Sequence, residues 1–200
     1  MKSAISGLLV LLALVPGLAL ADGNAPADPF DYSVVTVDHL GIHSDFFADR
    51  SSGNGFKLAY DDQDGVYFFG QWDHLKFSTL GSPNQGSHNL YGVGIGAHQA
   101  YNPDTSFYID AGFYRDQLSA SLGSAADDFW RVNYGLRYKL TTAIELDAAI
   151  FTERSTDFGR RPFGERLGLG VDLGPIVLQV AGEHTADGNR TEVSLSWAYR

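Results

Sequence analysis

The sequence predicts an all-β chain, a transmembrane antiparallel up-and-down barrel of about ten strands, with eight as the alternative. Three observations predict it. Apolar and polar residues alternate with period two along most of the chain. Short turns alternate with longer polar connections. Rows of glycine and charge lie opposite rows of large apolar residues.

The N-terminus is read separately. Met1-Lys2 gives a positive start, Ile5 to Leu20 is almost wholly apolar, and Ala19-Leu20-Ala21 supplies an A-x-A site before Asp22. Those are the parts of a secretory signal peptide, so residues 1–21 are expected to be removed. Residues 22–31 then form a short polar tail and 32–200 the barrel domain. The chain has no cysteine, which leaves the fold without disulfides and excludes a lipoprotein anchor. A net charge of −10 makes nucleic acid a poor partner.

The alternation recurs down the whole chain. Trp130, Val132, Tyr134, Leu136 and Tyr138 alternate with Arg131, Asn133, Gly135, Arg137 and Lys139. Tyr91, Val93, Ile95 and Ala97 alternate with Gly92, Gly94, Gly96 and His98. Similar rows run through 107–114, 144–150, 166–172 and 192–199. Each is a strand with two distinct faces. The first strand, Tyr32 to Asp45, is less regular, and a change of phase near Asp38-His39 suggests a bulge.

The separators sort into two kinds. Residues 61–65, 102–104, 140–143 and 173–175 are short and carry turn chemistry. Residues 46–53, 79–88, 119–127, 157–163 and 186–190 are longer and polar. Short turns at one end and longer loops at the other suit a membrane barrel. A soluble sandwich also alternates, but its large apolar residues point inward. Here the opposite rows hold glycine and charges of both signs, which suits a crowded lumen. Aromatics also gather near the expected rims: Tyr60, Tyr101, Tyr138 and Tyr199 at the turn end, and Trp72, Phe113, Trp130 and Phe158 at the loop end.

The inward rows predict a charge network. Lys57, Arg131, Arg137, Lys139 and Arg166 stand against Asp73, Asp110, Glu145, Asp147, Asp172 and Glu183. Buried charges need partners, so mixed signs on neighbouring strands predict internal ion pairs. A barrel of this size has an interior close to the width that side chains fill. Arg160 and Arg161 are candidate contacts for lipopolysaccharide phosphates. The six histidines show no metal-binding spacing, so neither metal nor cofactor is expected.

The last strand, Glu192 to Arg200, is similar to the terminal signal read by the barrel-assembly machinery. Glu192, Trp197 and Tyr199 match that pattern. Ser194 stands where glycine is usual, and Arg200 follows the aromatic that usually closes such chains. On this strand and the overall pattern, the chain resembles the small outer-membrane β-barrels of Gram-negative bacteria, the OmpA-like and opacity-protein group. The resemblance implies location in the bacterial outer membrane, with its lipid and lipopolysaccharide as surroundings and the assembly machinery as a transient partner.

The function expected is non-enzymatic, an envelope or surface-interaction role with the lumen plugged by charged side chains. The alternative is a narrow pore for ions or small solutes. A lipid A-modifying barrel enzyme is a third possibility, but His43-Ser44 cannot form a dyad, since adjacent strand residues point to opposite faces.

Overall fold

A computed structural model describes residues 27–44, 47–62, 64–78, 85–120, 123–156, 162–186 and 188–199. The expected signal peptide, the first part of the tail, Phe158, Arg160 and Arg161 lie outside the described residues.

Ten strands form one closed sheet. They are β1 (Val34–Ser44), β2 (Phe47–Asp61), β3 (Val66–Ser78), β4 (Gln85–Asn102), β5 (Thr105–Ala120), β6 (Gly123–Lys139), β7 (Ile144–Ser155), β8 (Phe163–Asp172), β9 (Ile176–Thr185) and β10 (Gly188–Ala198). Each pairs antiparallel with its neighbours in sequence, and β1 closes on β10 from Val34↔Ala198 to Ser44↔Gly188. Closure leaves no unpaired edge. Ten strands, rather than eight, is the architecture.

The turn end is built by local chemistry. Asp62 Oδ1 accepts from the Asp64 and Val66 N–H groups at 2.9 and 3.1 Å. Gly65 supplies the left-handed residue at φ +87°, and Gly174 does the same in its turn at φ +90°.

At the other end the strands run further than their polar composition suggested. β2 takes in most of 46–53, β4 starts at Gln85, and β6 starts at Gly123. His88, Asp128 and Arg190 are therefore strand residues, not loop residues. Beyond a membrane both faces of a strand meet water, so polar residues no longer oppose the ladder. The register of β1 is also more regular than expected. It runs unbroken past Asp38 and His39, and among the described residues the one shift against β2 falls between Ile42 and Ser44. The apparent change of phase arises because Leu40 faces inward.

The outer surface is apolar. Trp72, Tyr91, Val93, Ile95, Tyr134, Ile150, Leu167, Val180 and Trp197 are all exposed. Tyr60, Tyr101 and Tyr138 are exposed toward the turn end, and Trp72, Tyr91, Trp130 and Phe163 toward the loop end. These two aromatic zones bound the apolar band as in membrane barrels.

The glycine rows have a steric reason. The rings of Tyr67, Phe69 and Tyr114 lie against Gly96, Gly94 and Gly92 of β4, where a Cβ would collide with them. Tyr108 covers Gly135 and Phe151 covers Gly164 in the same way. The rings lie across the inner wall instead of standing into the lumen.

Candidate functional site

Lys57, Asp73, Asp110, Arg131, Arg137, Lys139, Glu145, Asp147, Arg166, Asp172 and Glu183 line the cavity inside the barrel, and the lumen is filled in three layers. At the turn end the chain before β1 enters the barrel, so residues 28–31 are not part of an external tail. Phe30 and Tyr32 are 5% and 7% exposed. The Asp28 carboxylate accepts from Ser106 Oγ at 2.6 Å and from His98 Nδ1 at 2.7 Å. His98 Nε2 meets Asp61 Oδ2 at 3.1 Å, and its ring stacks on Tyr32 with centroids 3.8 Å apart. Burial alone would raise the Asp28 pKa. Hydrogen bonds from His98, Ser106 and the Phe30 N–H outweigh it and hold the group below its usual value.

Arg137 ties this layer to the wall. It donates to the Asp31 carbonyl at 3.1 Å and to both oxygens of Glu145 at 3.1 and 3.0 Å. Its guanidinium lies 4.4 Å from the Phe30 ring centroid. Lys139 approaches the same ring at 5.5 Å. Asp172 lines the cavity near this end and accepts from the Gly174 N–H in its turn at 2.9 Å.

The middle layer is a web of ion pairs. Arg131 donates to Glu183 at 2.9 Å and lies 3.6 Å from Glu153. Arg166 meets Asp147 at 3.4 Å, Glu183 at 3.4 Å and Glu192 at 3.3 Å. Arg190 reaches Asp73 across the barrel at 3.0 Å. Tyrosines extend the web: Tyr108 donates to Asp147 at 2.9 Å, and Tyr67 donates to Asp110 at 3.0 Å. Asn133 also donates to Asp110. Lys57 sits over the Phe69 ring at 5.0 Å. Such a network is stabilising only while every charge keeps its partner.

The layer nearest the loops holds buried apolar side chains beside the His88–Asp116 pair, which the sequence reading did not anticipate. Leu40 and Leu75 are 0% and 1% exposed, and Phe77 and Leu90 are also buried. Leu40 and Leu75 are register partners of Gly53 on its two sides, so two bulky side chains flank a residue with none. A cavity of about 240 Å³ lies in the lumen, lined by residues of the first two layers such as Tyr32, Asp38, Asp110, Arg131 and Glu192. Leu40, Leu75, Phe77 and Leu90 are not among its lining residues.

Five histidines are held by amides or carboxylates: His39 by Asn54, His74 by Asn89, His184 by Asn189, His88 by Asp116, and His98 by Asp28 and Asp61. Of the residues expected in the assembly strand, Glu192 faces the lumen. Trp197 is exposed on the outside, and Tyr199 donates its hydroxyl to the Ala59 carbonyl at 2.7 Å.

Sequence reasoning missed Arg190, Asp28 and His98 as lumen groups. The parity was present: Arg190 continues the inward row of Glu192, Ser194 and Ser196, and Phe30 and Tyr32 continue that of Val34 and Thr36.

No family model and no curated protein sequence matches the chain. Solved structures share its fold. The NanC porin matches 82% of this chain and 100% of its own, with a TM-score of 0.53 at 10% identity. The β domain of the Bordetella autotransporter BrkA matches 83% of this chain and 98% of its own, with a TM-score of 0.53 at 12% identity. The N-terminal barrel of Pseudomonas aeruginosa OprF covers 84% of this chain, with a TM-score of 0.44 at 13% identity. This chain has the closed, antiparallel, up-and-down fold of outer-membrane β-barrels.

Proposed function

We propose that the protein resides in the bacterial outer membrane and serves a non-enzymatic structural or surface-interaction role, with its lumen closed to solutes. The observation that carries this is the layered filling of the lumen. Phe30 and Tyr32 stand at the turn end, paired arginines and carboxylates in the middle, and Leu40, Leu75 and Phe77 toward the loops. Toward the loops Leu40, Leu75 and Phe77 narrow the lumen, and polar groups at that level are tied to one another, His88 to Asp116 and Ser155 to Asp127. Lipid, lipopolysaccharide and the assembly machinery are the partners this role implies.

Location is tested by fractionation. The protein should be found in outer membranes and change gel mobility on heating. Recovery in the periplasmic supernatant without heat-modifiable mobility would overturn the placement. Closure is tested by swelling of proteoliposomes in small sugars. Swelling no faster than in empty vesicles is expected, and faster swelling contradicts a closed lumen. Incubation with lipid A followed by mass spectrometry tests the non-enzymatic role, which an altered acyl pattern would refute.

A second reading, a narrow pore, draws support from the cavity of about 240 Å³ among charged side chains. It requires Leu40, Leu75 and Phe77 to part.

A further inference from the structure

The apolar band is not equally tall all the way round. On β6 the outward row runs Tyr138, Leu136, Tyr134, Val132, Trp130. On β5 it runs Phe107, Ile109, Ala111, Phe113, and on β4 it reaches Tyr91. On the four adjoining strands β9, β10, β1 and β2 it stops sooner. β9 ends at Val180, β10 at Val193, β1 at Val37 and β2 at Phe56. Above these stand His184, Thr191 and Asn189, His39, and Asn54, all exposed. Each outward step is two residues, about 5 Å of height at a tilt of about 40°. The band is thus lower by roughly 5–10 Å over this arc.

The polar residues are organised in pairs. His39 and Asn54 are register partners, with His39 Nδ1 and Asn54 Oδ1 3.0 Å apart. His184 and Asn189 are also register partners and bond in the same way. With Nδ1–H donating to the amide oxygen, the amide N–H groups and the ring Nε2 are left for a ligand. The outward rows of these four strands carry no carboxylate among the described residues, and the nearest one, Glu165 of β8, is the register partner of His184 at the edge of the arc. That surface suits phosphate oxygens and hydroxyls, not a basic partner.

We infer that the arc β9–β10–β1–β2 is a headgroup-binding notch. There the phosphate and hydroxyl groups of lipids in the loop-side leaflet sink below their level on the opposite wall and bond to His39, Asn54, His184, Asn189 and Thr191. This rests on the membrane placement proposed above. The surface is continuous with the lipid-facing band, so lipid is its occupant. The cost of exposing these groups to acyl chains, several kcal/mol for each unsatisfied polar group, drives the leaflet to thin locally.

The cysteine-free chain allows a direct test. A control at the height of His39 is Val132. Following the register from His39 through β10, β9, β8 and β7 leads to Tyr138. Five strand spacings at this tilt descend about 15 Å, and climbing β6 from Tyr138 to Val132 recovers about the same.

The variants His39→Cys, His184→Cys and Val132→Cys, each carrying a bimane label, are placed in vesicles of phosphatidylcholine and lipopolysaccharide. The vesicles carry phosphatidylcholine spin-labelled on the headgroup or at mid-chain. The labels at 39 and 184 should be quenched more strongly by the headgroup nitroxide, and the label at 132 by the mid-chain nitroxide. Labels at 39 and 184 that follow the one at 132 overturn the notch. So does quenching by neither nitroxide, which indicates cover by a second copy of the chain. If the label at 132 also follows the headgroup nitroxide, the membrane placement itself fails.

Discussion

The Tyr67 ring lies against Gly96, its register partner on β4, and its hydroxyl donates to Asp110 of β5 at 3.0 Å. One aromatic thus spans three strands, and it can do so because the strand beneath it has no side chain. Gly96→Ala should force the ring off the wall and cost about 1–3 kcal/mol, as overpacking does. Urea unfolding of the refolded barrel in detergent reads this out. Tyr67→Phe keeps the packing and loses one hydrogen bond, so it should cost about 1 kcal/mol. A Gly96→Ala barrel as stable as wild type would remove this reason for the glycine rows.

Glu183 joins two arginines, since Arg131 and Arg166 both reach Oε1. Glu183→Gln keeps the volume and removes the charge that both face. Breaking such a buried pair on one side costs about 3–5 kcal/mol. Replacing Arg131 and Glu183 together by methionine should cost much less than the single change. The comparison is made by urea midpoint, and equal losses in the two variants would show that the pairing carries no energy.

Asp28 gives the docked segment a defined response to pH. Its pKa is lowered in the folded chain, so its contribution is complete above the unfolded value of about 3.9 and is lost as pH falls through the folded value. Between pH 8 and 5 the carboxylate stays ionised and the segment should stay docked. Anisotropy of a fluorophore on Ala27→Cys should fall only below about pH 4. Asp28→Asn should raise the mobility of that label at neutral pH. Release between pH 7 and 5 would contradict the assignment.

Leu40 supplies apolar closure near the loops and is fully buried. Leu40→Ala should cost about 2–5 kcal/mol, within the range for core leucines, and the loss is measurable by the same unfolding assay. An outward control, Leu195→Ala, leaves the lumen untouched.

Strict alternation made much of this legible. Arg131, Arg137, Glu145 and Asp147 could be assigned to the lumen because each lies between apolar residues on a period of two. Three things were hidden. The strands extend beyond the apolar band, where composition no longer reports pairing, so Arg190 looked like a loop residue. Leu40 and Leu75 are apolar yet inward, because the lumen itself holds apolar side chains toward the loops. The docking of Asp28, Phe30 and Tyr32 depends on a cavity that exists only once the barrel is closed, with His98 and Ser106 brought together from β4 and β5.

Single-channel recording of the purified protein in a planar bilayer addresses the central claim most directly. A lumen filled from Phe30 to Phe77 predicts a silent membrane across the accessible voltage range. Stable, reproducible conductance steps from the unaltered protein would contradict it.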